Sequence, residues 1–475
     1  MQSLKLTTHW FAVYYEYYNV ITPPHTNEVV MYKFIQSSEE INSNGGFSFI
    51  KRLLDFNQGM SIWDRLLPSA RNSRYSTSCI IRSLVGIQTA GGCDYADIEK
   101  FRGDFLFREL AGGRVPSEES FRQRLDRLAS RPAACLEAVD GCVAAQIASA
   151  RLTPLRISGM KMLPVDIDVS VFEDKASHKE GVGPSYRNVD GYAPIFCYAG
   201  AEGFMVAAEL RPGSQHSENG AVGFLERCVG ILLRAGYSPR ELLVRVDSGH
   251  DAGDFIRKLE NLGVRYIVKR NLRRESPGQL LDSIRYFDRP ERPRRGKTVF
   301  RGIRSDRRPA GYTDCERFGG FMAVEGVERK IDRDGQRLLI PEVEVDSWWT
   351  NLPLGVRECV GLYHDHGTSE QFHSELKGDM GMELLPSGSM ATNSLVLSVA
   401  AISFNCLRMV GQLALARMAR PKPSRELPLR MRLRTVLLDF IKVGCKIARH
   451  AGQTLLKFGR NCYYFAIMKE IYANC

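Results

Sequence analysis

The sequence predicts an α/β protein, in which a mixed sheet flanked by helices follows a helical N-terminal segment and is interrupted by a β-rich excursion. Three observations predict this. Apolar residues recur at three- and four-residue spacing from residue 46 to about 155, the period of helices with one buried face. From residue 163 the pattern changes to short β-branched runs alternating with helical stretches, which reads as a sheet covered by helices. An arginine- and proline-rich stretch with strand character, 271–358, then intervenes before helical periodicity returns.

The totals bound the reading. At 475 residues the chain is too long for one simple core, and two to four domains are expected. Hydrophobic content of 44% and charged content of 25% are ordinary for a soluble globular protein. The 12 cysteines are scattered with no CxxC pair, which excludes a zinc ribbon or a disulfide framework and fits reduced thiols in the cytosol. Residues 1–20 are aromatic-rich and lack the aliphatic core of a signal peptide. The longest apolar stretch, 394–416, holds Asn405 and Arg408 and reads as a buried helix in preference to a membrane span.

The net charge of +11 is placed, not spread. Residues 265–308 carry 15 Lys/Arg against 5 Asp/Glu, and residues 417–460 carry 12 against 2. Each stretch is thus in excess by ten, and the remainder is acidic by about nine charges. Two concentrated basic stretches suit a polyanion whose phosphates they neutralise; the alternative is a solubilising surface.

In chain order, residues 1–45 are polar and aromatic, with Trp10, Tyr14, Tyr15, Tyr17 and Tyr18 crowded together, and receive no assignment. FSFIKRLLDF and TSCIIRSLVGI are amphipathic helices, broken at Gly91-Gly92. Ser117 is an N-cap ahead of SFRQRLDRL, whose Arg122, Gln123, Arg124 and Arg127 suit either a recognition helix in a DNA groove or a plain bundle helix. Strands are expected at 163–172, at 194–200 and 204–210 around a Glu202-Gly203 turn, at 242–247 and at 264–269, with helices at 219–235 and 252–262. The excursion is expected as a separate unit: an exposed loop or arm at 289–297, then a hairpin turning at Asp334-Gly335 and ending in Trp348-Trp349. Adjacent tryptophans on a strand face opposite sides, so one belongs to the core while the other is free to stack on an unpaired base. After residue 417 the chain is basic and proline-punctuated, followed by one amphipathic helix, VLLDFIKVGCKIARH, for DNA contact or dimerisation.

The most informative stretch is LYHDHGTSEQFHSELKGDMGMELL, 362–385. Thr368 and Gln371 have capping-box spacing, so a helix is expected to start at Thr368. Phe372, Leu376 and Met380 recur every fourth residue and form a stripe to bury. Glu370, His373 and Lys377 share another stripe, which is either a solvated face or one side of a metal and phosphate site. Two upstream strands favour the second reading, because LPVDIDVSVF and ELLVRVDSGHDAGDF carry aspartates at or near their ends. Three carboxylates far apart in sequence, two on strands and one on a helix, are what a pair of Mg²⁺ ions needs to clamp the oxygens of an in-line displacement at phosphorus.

Other motifs fail. Gly296-Lys297-Thr298 lacks the glycine a phosphate loop needs at position 291, His364/His366/His373 offers no HExxH, and Ser248 has no G-x-S-x-G elbow.

Together these residues resemble bacterial insertion-sequence transposases of the DDE class, in the superfamily with the Y-x2-R-x3-E-x6-K signature. Tyr363, His366, Glu370 and Lys377 occupy that spacing, Asp168-Val169-Ser170 resembles the first aspartate element, and Asp247-Ser248-Gly249-His250 the second. The segments LRPGSQHSENGA and LPSGSMATN are similar to the subgroup's connecting segments. The resemblance implies an RNase H-like core at 156–270 and 359–418, a helical end-binding domain at 46–155, a β-rich insertion with a basic arm at 271–358, and a basic helical region at 419–475. It implies that Asp168, Asp247 and Glu370 hold two Mg²⁺, for which Mn²⁺ can substitute, with Asp166 on the same strand face as an alternative first ligand. Tyr363, His366 and Lys377 are then phosphate contacts, and Trp348 or Trp349 holds a flipped base. His366 departs from the signature arginine and cannot make its bidentate fork. The implied partners are double-stranded element ends and target DNA, bound by a homodimer in the bacterial cytoplasm at the nucleoid, with no nucleotide cofactor and no membrane. A nuclease that cuts without joining, and an inactive DNA-binding copy, are the alternatives.

Overall fold

Five strands build the centre of the molecule: β1 (Met160–Val169), β2 (Ile195–Ala199), β3 (Phe204–Glu209), β4 (Leu242–Val246) and β5 (Arg265–Lys269). Their order is β3-β2-β1-β4-β5, with β1, β2 and β3 antiparallel in turn and β1, β4 and β5 parallel. This is the RNase H-like arrangement. β2, β4 and most of β3 are buried throughout, as expected of strands covered on both faces. The computed structural model describes residues 35–56, 59–150, 152–175, 177–313, 316–332, 334–418 and 428–475. The chain divides into Met1–Glu40 and Ile41–Cys475, and among the described residues every strand and helix belongs to the second unit. The aromatic crowd at Trp10–Tyr18 lies outside the described residues.

The N-terminal helices are α1 (Phe47–Phe56), α2 (Gly59–Leu66), α3 (Thr77–Thr89), α4 (Phe105–Ala111), α5 (Glu118–Ala129) and α6 (Pro132–Ser149). Ser117 caps α5 as the sequence predicts, accepting from the Ser120 amide. On the sheet, α7 (Ala221–Arg234) links β3 to β4 and α8 (Gly253–Leu262) links β4 to β5. Past β5 come α9 (Pro277–Ile284), α10 (Val356–His364), α11 (Ser369–Ser374) and the long α12 (Met390–Leu415).

The apolar stretch at α12 is long enough to cross a membrane, yet 89% of its most apolar window is buried inside the protein. Its polar side chains bind neighbouring elements. Asn405 accepts from the Met205 amide at 2.8 Å and donates to the Met205 carbonyl at 2.9 Å, serving β3 where its register with β2 shifts. Gln88 of α3 donates to Val396 O, and Gln146 of α6 to Ile402 O. A core helix with paired polar groups is the outcome, because each unpaired one would cost a desolvation penalty.

The excursion departs from its expected separateness. Its strands β6 (Glu291–Arg294), β7 (Lys297–Arg304), β8 (Phe321–Ile331) and β9 (Arg337–Thr350) extend the central sheet, with Ile267 of β5 opposite Thr350 of β9. The expected loop at 289–297 is instead the β6–β7 hairpin, turned by Gly296 at φ 77°. β6 is the edge strand of this sheet, and its Arg292 and Arg294 stay exposed to water.

The expected C-terminal helix VLLDFIKVGCKIARH is also corrected. Only its first half is helical, from α13 (Leu433–Val436) through a π-turn at Leu437–Ile441. The second half is β10 (Cys445–His450), paired with β11 (Gln453–Phe458) and with the short strand Ile41–Asn42. Ala451-Gly452, both at positive φ, form the hairpin turn. The chain closes with α14 (Phe465–Asn474).

Candidate active site

Strand pairing puts two acidic residues side by side. Ile167 of β1 lies opposite Val246 of the parallel β4, so Asp168 and Asp247 are the next residues on neighbouring strands, where backbones run about 4.8 Å apart. Both face a cleft of about 830 Å³ that is also lined by Tyr363, His366, Glu370 and Lys377. Tyr186 and Arg187 face it too, and no motif in the sequence points to them.

Asp168 is held on several sides. It accepts from the Val169 amide at 2.8 Å, from His373 Nε2 at 3.2 Å and from Ser369 Oγ at 3.4 Å. Burial pulls its carboxyl upward, but His373 and the charge of His366 outweigh that and hold it below the usual carboxylate range. His373 in turn meets the Tyr198 hydroxyl through Nδ1, at 3.3 Å. Since a carboxylate only accepts, Nε2 of His373 carries the proton toward Asp168. Asp247 is half-exposed, and accepts from the Gly249 amide and from His250 Nδ1 at 3.0 Å.

Asp166, the alternative first ligand, is already engaged. It is 2% exposed and takes two 2.7 Å bonds from Arg245 of β4 and one of 2.9 Å from His366 Nδ1. Burial raises its carboxyl, yet Arg245 and His366 more than reverse this. An arginine inside the buried run LLVRV is the sequence signal for such a pair, because a charge on a central strand needs a buried partner.

The signature stretch is a bent helical path. α10 leads through a 3₁₀ turn at Asp365–Thr368 into α11, and then into a π-turn at Glu375–Asp379. The expected capping box at Thr368 does not form. Thr368 is itself helical and its hydroxyl donates to Asp365 O, while Gln371 bonds to Arg430. The expected apolar stripe does form, with Phe372, Leu376 and Met380 all buried. Phe372 meets the β2–β3 turn where Gly203 sits at φ 69°, and a Cβ there would strike its ring.

Tyr363 lies between Trp348 and His366, with ring centroids 5.7 Å from each. Burial and then the charges of Asp247 and Asp168 push its hydroxyl pKa up. Lys377 donates to Val171 O at 2.5 Å and pairs with Glu383 at 3.0 Å. His366, expected at a phosphate, is buried and turned onto Asp166.

Trp348 and Trp349 do face opposite sides of β9, but both are buried, at 1% and 2% exposure, so neither offers a stacking surface. Trp349 donates to Asp251 at 2.9 Å under the guanidinium of Arg270, whereas Trp348 Nε1 has no partner among the described residues. On α5, Arg122 pairs with Glu119, Gln123 bonds the same carboxylate, and Arg124 turns inward to Ser69 and Ser73, leaving Arg127 exposed. That side of the helix is mostly satisfied within the protein.

The donors that could hold a divalent cation are carboxylate oxygens, the chemistry Mg²⁺ prefers. Asp168 and Asp247 fit, since they stand side by side on neighbouring strands, and exposed Glu370 borders the same cleft. Among the described residues, however, no three His, Cys, Asp or Glu side chains are gathered closely enough to hold a metal ion. Glu370 is thus a neighbour of the aspartate pair, not part of a closed triad.

Comparison with known proteins bears on this geometry. No curated protein matches the chain. Among solved structures, a cryo-EM structure of a piggyBac transposase synaptic complex with hairpin DNA matches at 11% identity and a TM-score of 0.39, covering 78% of this chain and 77% of that one. That likeness is too distant to assign residue roles. The family model described as transposase DDE domain group 1 matches residues 27–277, more than half of the 475, and the chain belongs to that family of DDE transposases.

Proposed function

We propose that the protein cuts and joins DNA at the ends of an insertion sequence, using Asp168, Asp247 and Glu370 to hold divalent metal, Mg²⁺ for preference. The observation that carries this reading is the pairing of Asp168 and Asp247 at adjacent strand ends, above a cleft that Glu370 borders. Bound there, the metal would supply an activated oxygen nucleophile and stabilise charge at the phosphorus.

The protein's own residues account for the rest. Lys377 and Arg187 provide positive charge at the cleft, and Tyr363 a hydroxyl that stays protonated and can donate to a phosphate oxygen. The exposed arginines of the β6–β7 hairpin, Arg292, Arg294 and Arg295, extend the phosphate-binding surface along the sheet. Joining exchanges one phosphodiester for another, so no nucleotide cofactor is needed. A homodimer on two element ends follows from the need to join both.

The test uses duplex DNA carrying the inverted repeats that flank the gene. With Mg²⁺, the wild-type chain should nick this DNA, and pre-cut ends with a free 3′-hydroxyl should be transferred to a second duplex. Cleavage unchanged in Asp247→Asn would defeat the assignment. Cleavage without transfer would leave a nuclease.

A further inference from the structure

We propose that His366 and His373 are positioning residues that bolt the Glu370-bearing helix onto β1, and that His366 is not a phosphate ligand. This rests on the catalytic reading of Glu370.

The geometry is a two-rung ladder. Asp166 and Asp168 alternate with Ile167 on β1 and so point to one face, about 6.7 Å apart. His366 reaches the first from a point four residues before Glu370, and His373 reaches the second from three residues after it. Ser369 adds a weaker bond to Asp168. Glu370 itself is exposed, so its neighbours set where its carboxylate stands.

Arg245 anchors the same stretch further upstream. While two of its nitrogens hold Asp166, Nη1 donates to Leu362 O at 2.7 Å, next to Tyr363. The segment 362–373 is therefore fixed at its start, middle and end by side chains of β1 and β4. Each rung has its own backing: Arg245 behind Asp166, and Tyr198 behind His373. Outer partners of this kind orient the groups that do the chemistry.

A phosphate role for His366 conflicts with this placement. The ring is 7% exposed, its Nδ1 is spent on Asp166, and Tyr363 lies against it. The cation required beside Asp166 comes from the neighbouring strand as Arg245. An arginine at 366 would set a second guanidinium against Asp166, whose two oxygens Arg245 already holds.

The experiment compares full-length wild type with His366→Ala, His366→Asn and His366→Arg in three measurements. These are amide hydrogen exchange of residues 369–374 without metal, affinity for the flanking-repeat duplex across a salt series, and single-turnover cleavage with Mg²⁺. For His366→Ala, exchange in 369–374 should rise about tenfold and cleavage should fall about 10- to 100-fold, with affinity within about twofold of wild type. Asparagine can still donate to Asp166, so His366→Asn should restore both protection and most of the rate. His366→Arg should cleave poorly without binding more tightly.

The proposal is overturned if His366→Ala weakens DNA binding about tenfold while 369–374 stay protected, or if His366→Arg binds more tightly, steepens the salt dependence by about one ion and cleaves faster. Should His366→Ala loosen the entire fold, His366→Asn decides, because wild-type protection combined with weakened binding rejects the bolt. Local loosening in a chain whose wild type never cleaves DNA would instead reject the transposase reading and leave the bolt standing.

Discussion

Arg408 of α12 donates to Glu375 at 2.6 Å, with the two side chains 0% and 5% exposed. Arg408 also donates to Met431 O at 3.0 Å, and Arg430 approaches the other Glu375 oxygen at 3.5 Å. The pair joins the central core helix to the turn that follows Glu370. Arg408→Met leaves a buried carboxylate with one weak partner and should cost about 3–5 kcal/mol in urea unfolding. Replacing both residues by apolar ones should cost less than the single change. A single-variant loss below about 1 kcal/mol would show that water reaches Glu375.

The two adjacent tryptophans should respond differently to the same substitution. Trp349→Phe removes the donor to Asp251, a residue 5% exposed, and should destabilise by about 1–3 kcal/mol. Trp348→Phe removes an indole nitrogen that has no partner among the described residues, so its cost is limited to lost packing, about 1 kcal/mol. Thermal unfolding of the two variants side by side checks the order. Equal losses would mean that the Asp251 bond contributes nothing.

Asp97 gives a pH signature remote from the cleft. Its carboxylate accepts from the Cys93 and Asp94 amides at 3.0 Å and pairs with Lys100 at 2.6 Å. Burial raises its pKa, but Lys100 and the amides overcome this and leave it lowered. A carboxyl with a lowered folded pKa stabilises fully above its unfolded value, near 3.9, and loses that contribution as pH falls through the folded value. Asp97→Asn keeps an acceptor and removes the charge, so it should cost about 1 kcal/mol at neutral pH. That penalty should shrink below about pH 4, which urea titrations at pH 7 and pH 3 can read.

Much of the centre was legible because burial imposes strict patterns. The run at β4 is continuous in apolar residues apart from Arg245, the Phe372/Leu376/Met380 stripe has helical spacing, and Gly203 marks a turn. Errors arose where tertiary partners overrode local preference. KVGCKIARH has the composition of a helix end, yet it gains a strand on either side and becomes β10. RPERPRRGK reads as a loop, yet β7 supplies a partner for β6. His366 and His373 sit at helical spacing beside Glu370, but only the fold shows that both turn inward to aspartates on β1.

If Asp168 and Asp247 grip one metal, their contributions cannot be independent. Asp168→Asn and Asp247→Asn should each abolish most DNA cleavage, and the double variant should be no worse than either single, because groups acting as a unit are non-additive. A second readout needs no catalysis. Mg²⁺ at about 100 times its dissociation constant should stabilise the wild type by about 2.7 kcal/mol, and EDTA should reverse the gain. Either asparagine variant should lose most of that shift, and Asp247→Asn should also keep its stability in EDTA, since Asp247 is half-exposed and its replacement still accepts from Gly249. A full Mg²⁺ shift in both variants would place the metal away from this pair of strand ends.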